Sequence, residues 1–166
     1  MADTYLFAYG TLLTGTGSRG IDRILRTHGQ DRGRGQIRAR LYDLGDYPGA
    51  VATVARGDRV TGRLYRLRAP ERALARLDRY ERFHPGAEDA SEFVRRLAEV
   101  VPDGARAAVT AWIYYYNRAV VRRPRIASGD WVAWVRRRRN PATSASPGRG
   151  PAYRAEARGG RARSSA

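Results

Sequence analysis

The sequence predicts an α+β domain built on a compact, curved, barrel-like sheet of mixed or antiparallel strands with a few short helices. Two observations point there: strand-like runs outnumber helical ones, and several are separated only by tight-turn residues such as Gly57-Asp58 and Pro102-Asp103-Gly104. The 166 residues suit one domain of ordinary size, whose single core buries roughly two-thirds of the unfolded surface. We expect that domain over residues 1–136 and a disordered arginine-rich tail over 137–166.

Thr4 to Tyr9 (TYLFAY) is aromatic and apolar and stops at Gly10, which reads as a buried strand. Gly15 to Gly20 is small and polar, hence a loop, and Ile21, Ile24 and Leu25 then stand at helical spacing in a segment ending near Gly29. Gly35 to Leu44 alternates apolar and charged residues and predicts one strand, followed by the turn cluster Gly45-Asp46-Tyr47-Pro48-Gly49. Ala50–Ala55 and Arg59–Leu67 read as a hairpin turned at Gly57-Asp58.

Ala69 to Tyr80 carries the clearest helical pattern. Pro70 fits the first helical position, Glu71 suits the positive N-terminal end, and Leu74, Leu77 and Tyr80 share a face. Glu81 falls at its C-terminal end. Phe83 to Ser91, with His-Pro-Gly, is a loop; Glu92–Val101 and Arg106–Tyr116 form a second hairpin. Ser128-Gly129-Asp130 turns into a short final element, Trp131–Val135. Beyond Arg136 the arginine, Pro, Gly, Ser and Ala residues bury too little surface to offset the entropy of ordering.

Composition narrows the chemistry. There is no cysteine, and His28 and His84 are the only histidines, so thiolate nucleophiles, disulfides and Cys- or His-rich metal sites are excluded. Catalysis would rest on carboxylates, hydroxyls, arginines or backbone dipoles, with no metal and no cofactor. No run approaches the ~20 apolar residues of a membrane span, and the N-terminus lacks a signal-peptide layout, so we expect no membrane partner and a cytoplasmic location. The formal charge of +16 would gather polyanions. All 32 basic residues are arginine, however, and they are scattered through every element, as a coding bias would leave them.

Four groups of residues can carry chemistry. Tyr9-Gly10-Thr11-Leu12 closes a buried strand; it is either a plain turn or a nest whose successive N–H groups hold an anion. Glu81 is either a surface acid paired with Arg79 or Arg82, or a base at the end of an apolar helix face; Asp78, three residues earlier, can share its face and raise one carboxyl pKa. Arg95 and Arg96 point to opposite sides of a strand, and the inward one needs substrate or a buried acid. Trp112 and Tyr114 fit the core, whereas Tyr116, at the strand end, can face a pocket.

Taken in order, these segments form a pattern: YGTL at 9–12, Leu41-Tyr42-Asp43-Leu44 with Tyr47-Pro48, Gly62-Arg63-Leu64-Tyr65, Leu77-Asp78-Arg79-Tyr80-Glu81, Tyr114-Tyr115-Tyr116-Asn117 and Ser128-Gly129-Asp130-Trp131. The chain resembles the gamma-glutamylcyclotransferase-like superfamily, including its gamma-glutamylamine cyclotransferase branch, from Thr4 to Val135. The resemblance implies a substrate loop at Tyr9, Gly10, Thr11 and Leu12 and a catalytic glutamate at Glu81. Two positions depart from it: Arg82 stands where such proteins commonly have Gly, and Phe93 where they commonly have Tyr.

The implied reaction needs no protein nucleophile. In a γ-glutamyl compound the α-amine attacks the δ-carbonyl of its own chain, giving 5-oxoproline and a released amine or amino acid, and holding the bent conformer is worth several kcal/mol. With reference values of about 4.3 for Glu and about 7.8 for an α-amine, proton transfer is uphill by roughly 3.5 units, about 5 kcal/mol. Glu81 is therefore expected in a partly apolar pocket that raises its pKa. Loops such as Phe83 to Ser91 would contact the leaving group. The sequence leaves the leaving group and the oligomeric state open. The alternative is a non-catalytic basic adaptor whose arginine tail binds nucleic acid or another polyanion.

Overall fold

The computed structural model describes residues 3–10 and 19–140. In chain order the elements are β1 (Thr4–Ala8), α1 (Arg19–His28), β2 (Gly29–Ile37), β3 (Ala39–Asp43), β4 (Pro48–Ala52), β5 (Val60–Leu67), α2 (Pro70–Tyr80), a 3₁₀ turn at Glu88–Ala90, β6 (Phe93–Pro102), β7 (Val109–Tyr116) and α3 (Trp131–Arg139). Five strands close a barrel in the order β1-β5-β2-β6-β7, and β3 and β4 form a separate two-stranded ribbon. Closure is made by a parallel contact, Leu6 against Trp112, while the other barrel pairings are antiparallel. The protein is thus α+β with a barrel-like sheet.

Period-two alternation splits the wall residues between two apolar clusters. Phe7, Ile37, Val60, Leu64, Val100 and Ile113, drawn from all five barrel strands, pack together on the inside. Leu6, Ala8, Tyr65, Leu67 and Tyr114, on the opposite face, meet Ile21, Ile24 and Leu25 of α1 and Ala73, Leu74 and Leu77 of α2. Both helices are short, so this packing rather than intrinsic propensity holds them. No described helix is long and apolar enough to cross a membrane.

The end of α2 positions the residues of interest. The Glu81 N–H donates to Leu77 O and the Phe83 N–H to Asp78 O, both at 2.8 Å. Arg82 between them has φ 53. This is a Schellman closure, with Phe83 and Leu77 in one apolar cluster. A left-handed residue at this place is usually Gly, and for an arginine it costs on the order of 1 kcal/mol.

Several sequence expectations are corrected. The stretch Gly35–Leu44 is two strands rather than one, bent at Arg38 into different sheets. Gly35, Ile37, Ala39, Leu41 and Asp43 are all buried, so alternation runs through the corner and conceals it. The expected hairpin of Ala50–Ala55 with Arg59–Leu67 does not form. β4 turns back on β3, pairing Asp43 with Pro48, because β5 is taken up on both edges by β1 and β2. β2 itself begins at Gly29, in a glycine- and charge-rich stretch with little strand propensity; a register shift between Asp31 and Arg34 accommodates it, with the Gly33 N–H bound to Asp31 Oδ1 at 2.8 Å.

The final element is a helix. Asp130 caps it by accepting from the Ala133 N–H at 2.9 Å, and it runs three residues beyond Arg136. Arg138 reaches Asp43 at 2.8 Å, and Trp134 Nε1 donates to the same carboxylate at 2.9 Å. The start of the expected tail is therefore helical, and residues 141–166 lie outside the described residues.

One barrel contact is unusually close. A Cβ built on Gly62 would lie 2.2 Å from Ala8 O and 2.6 Å from the Phe7 ring. Gly62→Ala must push β5 away from β1, and overpacking of this kind costs about 1–3 kcal/mol. A fall of several degrees in Tm, measured by circular dichroism, is expected; an unchanged Tm would mean the two strands are free to separate.

Candidate active site

The site begins where β1 ends. Tyr9 is 4% exposed; its hydroxyl donates to Tyr114 O at 2.7 Å and accepts from the Ala50 N–H at 3.2 Å. Burial holds its pKa well above the ordinary tyrosine value. Gly10 follows with its backbone against the next wall: a Cβ there would stand 2.3 Å from Pro48 Cγ and 2.8 Å from Cδ. Any other residue would drive β1 off the β3–β4 ribbon. Thr11 and Leu12, the rest of the expected substrate loop, lie outside the described residues.

Glu81, at the far end of α2, opens onto the same cavity as Tyr9 and Gly10, which has a volume of about 280 Å³. Tyr47 and Pro48 from the ribbon, Phe93 from β6 and Tyr114 from β7 complete its walls, with Tyr80, Arg82 and Glu92. Glu81 is 8% exposed, and among the described residues none donates a hydrogen bond to its carboxyl. Burial, with the charge of Glu92 adding to it, raises its pKa to about 8. The two motifs, separated by most of the barrel in sequence, meet at one hollow.

Asp78 is engaged by partners other than Glu81. Arg95 Nη1 lies 2.9 Å from both of its oxygens, and the Tyr114 hydroxyl donates to Oδ1 at 2.7 Å. The like charge acting on Glu81 is Glu92 instead. Arg95, a candidate substrate contact by sequence, takes the other option open to it: a part-buried acid partner, with its guanidinium 4.9 Å from the Trp112 ring and 5.6 Å from Phe83. It does not line the cavity. Tyr116 does not line it either; it packs edge-on against Phe93 at 5.5 Å and faces a neighbouring hollow.

Among the lining residues that sequence reasoning did not single out are Tyr47 and Glu92. The Tyr47 hydroxyl donates to Glu92 Oε1 in a short hydrogen bond, which, together with burial, pushes the tyrosine pKa to about 12. Tyr47-Pro48 belongs to the pattern on which the resemblance rests, so a signal existed. Glu92 had none: it stands before a strand among other charged residues, and only the barrel brings it beside Glu81. Phe93, where the resemblance expects a tyrosine, lines the cavity as a bare ring, and the nearby tyrosyl hydroxyl is that of Tyr47, whose ring lies 6.1 Å away.

A family model described as gamma-glutamyl cyclotransferase, AIG2-like, matches residues 6–133. The chain belongs to this family. Among solved structures, the ytfP protein of Escherichia coli is 30% identical, with 80% of this chain and 99% of that one covered at a TM-score of 0.52. An AIG2-like protein from mouse is 25% identical over 75% of this chain and 86% of its own, with a TM-score of 0.56. YkqA of Bacillus subtilis shares the fold at 18% identity and a TM-score of 0.58, and this chain spans 44% of its length. No curated protein matches the sequence. The family's name and its shared fold support cyclotransferase activity in general terms.

A carboxyl whose pKa rises on folding ties stability to pH. Between its unfolded value near 4.5 and the folded value of about 8, the folded state holds a proton that the unfolded state has lost. Stability from this group is complete below that window and falls as pH rises through it, by about 1.4 kcal/mol per pH unit. Glu81→Gln has no such proton. Urea unfolding at pH 5 and pH 8 is expected to show the substituted protein losing markedly less stability than the wild type; parallel losses would mean that Glu81 is solvated.

Proposed function

We propose that this protein cyclises a γ-glutamyl compound to 5-oxoproline with release of an amine or amino acid, using Glu81 as general acid and base. The observation that carries the reading is a buried carboxyl, raised to about 8, on the same cavity as the Tyr9–Gly10 strand end. The ordinary mismatch of about 5 kcal/mol between a glutamate and an α-ammonium is nearly removed at that value. Proton transfer between them becomes close to balanced, which is where a general base works best.

The steps then follow from the residues. The Glu81 carboxylate takes a proton from the substrate α-ammonium, and the freed nitrogen attacks the δ-carbonyl carbon of the same molecule. A C–N bond closes the five-membered ring while the carbonyl electrons move to oxygen. As that tetrahedral oxyanion collapses, the bond to the leaving nitrogen breaks; Glu81 returns its proton to that nitrogen and takes the second proton of the ring nitrogen, leaving a neutral lactam, and this second proton departs with the released amine as its ammonium. Backbone amides of Gly10, Thr11 and Leu12 take the substrate α-carboxylate, and donors of this kind also steady charge on the δ-oxygen. Tyr9, with its hydroxyl engaged on both sides, anchors the end of β1 at Gly10 rather than exchanging protons. Arg95 has no substrate contact in this reading, because its guanidinium is engaged by Asp78.

The test is direct. Incubated with a panel of γ-glutamyl amino acids and amines, the wild type should release 5-oxoproline, measured by liquid chromatography with mass detection. Glu81→Gln should lower kcat by about 10²–10⁴ while remaining folded. The kcat/KM profile of the wild type should rise with pH towards a limb near the pKa of about 8, because the free enzyme must present its carboxylate. No 5-oxoproline from any member of the panel, or a Glu81→Gln enzyme of near wild-type rate, would overturn the reading.

A further inference from the structure

Beside the candidate active site lies an open hollow of about 450 Å³, lined by Arg82, His84, Ala90, Glu92, Tyr116 and Arg118. Arg82 and Glu92 line both spaces, so the two adjoin at these side chains. We propose that this hollow receives the leaving group, and that it selects γ-glutamyl amino acids or peptides carrying a free carboxylate over neutral γ-glutamyl amides and cationic γ-glutamyl amines. The inference rests on the cyclotransferase reading and adds to it the class of leaving group and the residues that choose it.

Position comes first. In the proposed reaction Glu81 hands its proton to the departing nitrogen, so the leaving group must extend from a point beside Glu81. Arg82 is the next residue, and the wall beyond it comes from the loop between α2 and β6. That loop is pinned: Ser91 Oγ accepts from the His84 N–H at 2.9 Å and donates to Ala87 O at 3.0 Å, and Asn117 Nδ2 donates to Glu88 O and Ser91 O. The hollow is therefore preformed.

Charge comes second. Arg82 and Arg118 bring two guanidinium groups against one carboxylate, Glu92. That carboxylate already accepts from the Tyr47 hydroxyl and lies 3.5 Å from Arg82 Nη1. Among the described residues Arg118 is held by backbone carbonyls, donating to Asp89 O and Ala90 O at 2.6 Å each. Carbonyls orient a guanidinium without cancelling its charge, and three of its five N–H donors remain for an anion. The hollow thus keeps a net positive charge beside Glu81.

The backbone supplies an independent argument. Arg82 sits at φ 53, where Gly closes a helix without strain, and its side chain is 78% exposed. A long cation kept in a left-handed conformation at the junction of two cavities points to a task for the side chain, since residues in such conformations concentrate at ligand sites.

The test compares γ-glutamylalanine with γ-glutamylalaninamide, which differ only in the carboxylate, and includes a γ-glutamyl amine. Wild type should favour the acid over the amide by about tenfold in kcat/KM, the low end for a charge-assisted contact. Arg82→Gly and Arg118→Gln should each bring that ratio down several-fold, mainly through KM for the acid. Arg82→Gly should also melt no lower than wild type, because it relieves the backbone; a merely structural arginine would lower Tm and leave the ratio alone. Equal use of acid and amide by wild type, or a ratio unmoved in both variants, overturns this inference and leaves the cyclotransferase reading standing. No 5-oxoproline from acid, amide or amine removes both.

Discussion

The site depends on one chain of polar contacts, from Arg95 through Asp78 and Tyr114 to Tyr9. Arg95 on β6 holds Asp78 in the last turn of α2, Asp78 accepts from the Tyr114 hydroxyl on β7, and the Tyr114 carbonyl accepts from the Tyr9 hydroxyl at the end of β1. Four elements that meet nowhere in sequence are joined through side chains that are largely buried. Because buried polar groups are costly to leave unpaired, removing one member strands the next. The network thereby fixes the helix end that carries Glu81 relative to the strand end that carries Gly10.

Beside that frame, Glu81 is the buried acid to which no described residue donates a hydrogen bond. Asp78 and Asp43 are each satisfied by an arginine together with a tyrosine or tryptophan donor, whereas Glu81 faces an apolar ring, a like charge and open cavity. A carboxyl so placed prefers to be neutral, which is why its pKa climbs. The cost is local and the two apolar clusters offset it, a common arrangement where an ionisable group serves chemistry rather than stability.

The ribbon β3–β4 explains how the cavity gets its remaining wall. It stands outside the barrel order, yet it delivers Tyr47 and Pro48, and it can do so only because Gly10 lets the backbone of β1 come against Pro48. Sequence periodicity could not reveal this. The alternation from Gly35 to Asp43 is unbroken across the bend at Arg38, so two strands in different sheets share one pattern. The same blindness produced the unmade hairpin: Gly57-Asp58 has turn chemistry, but pairing is settled by which strand offers a free edge.

What the sequence determined by itself was local: the helix Pro70–Tyr80 from its proline, acidic start and apolar face, the hairpin of β6 and β7 from β-formers around a tight turn, and the two short motifs whose joint occurrence points to the family. Each is legible because its cause lies within a few residues. The tertiary structure alone decided that Arg95 serves Asp78, that Tyr116 faces away from the main cavity, and that Glu92 stands near Glu81. Those outcomes depend on barrel closure, which sets distances between residues tens of positions apart, and no local propensity encodes a distance of that kind.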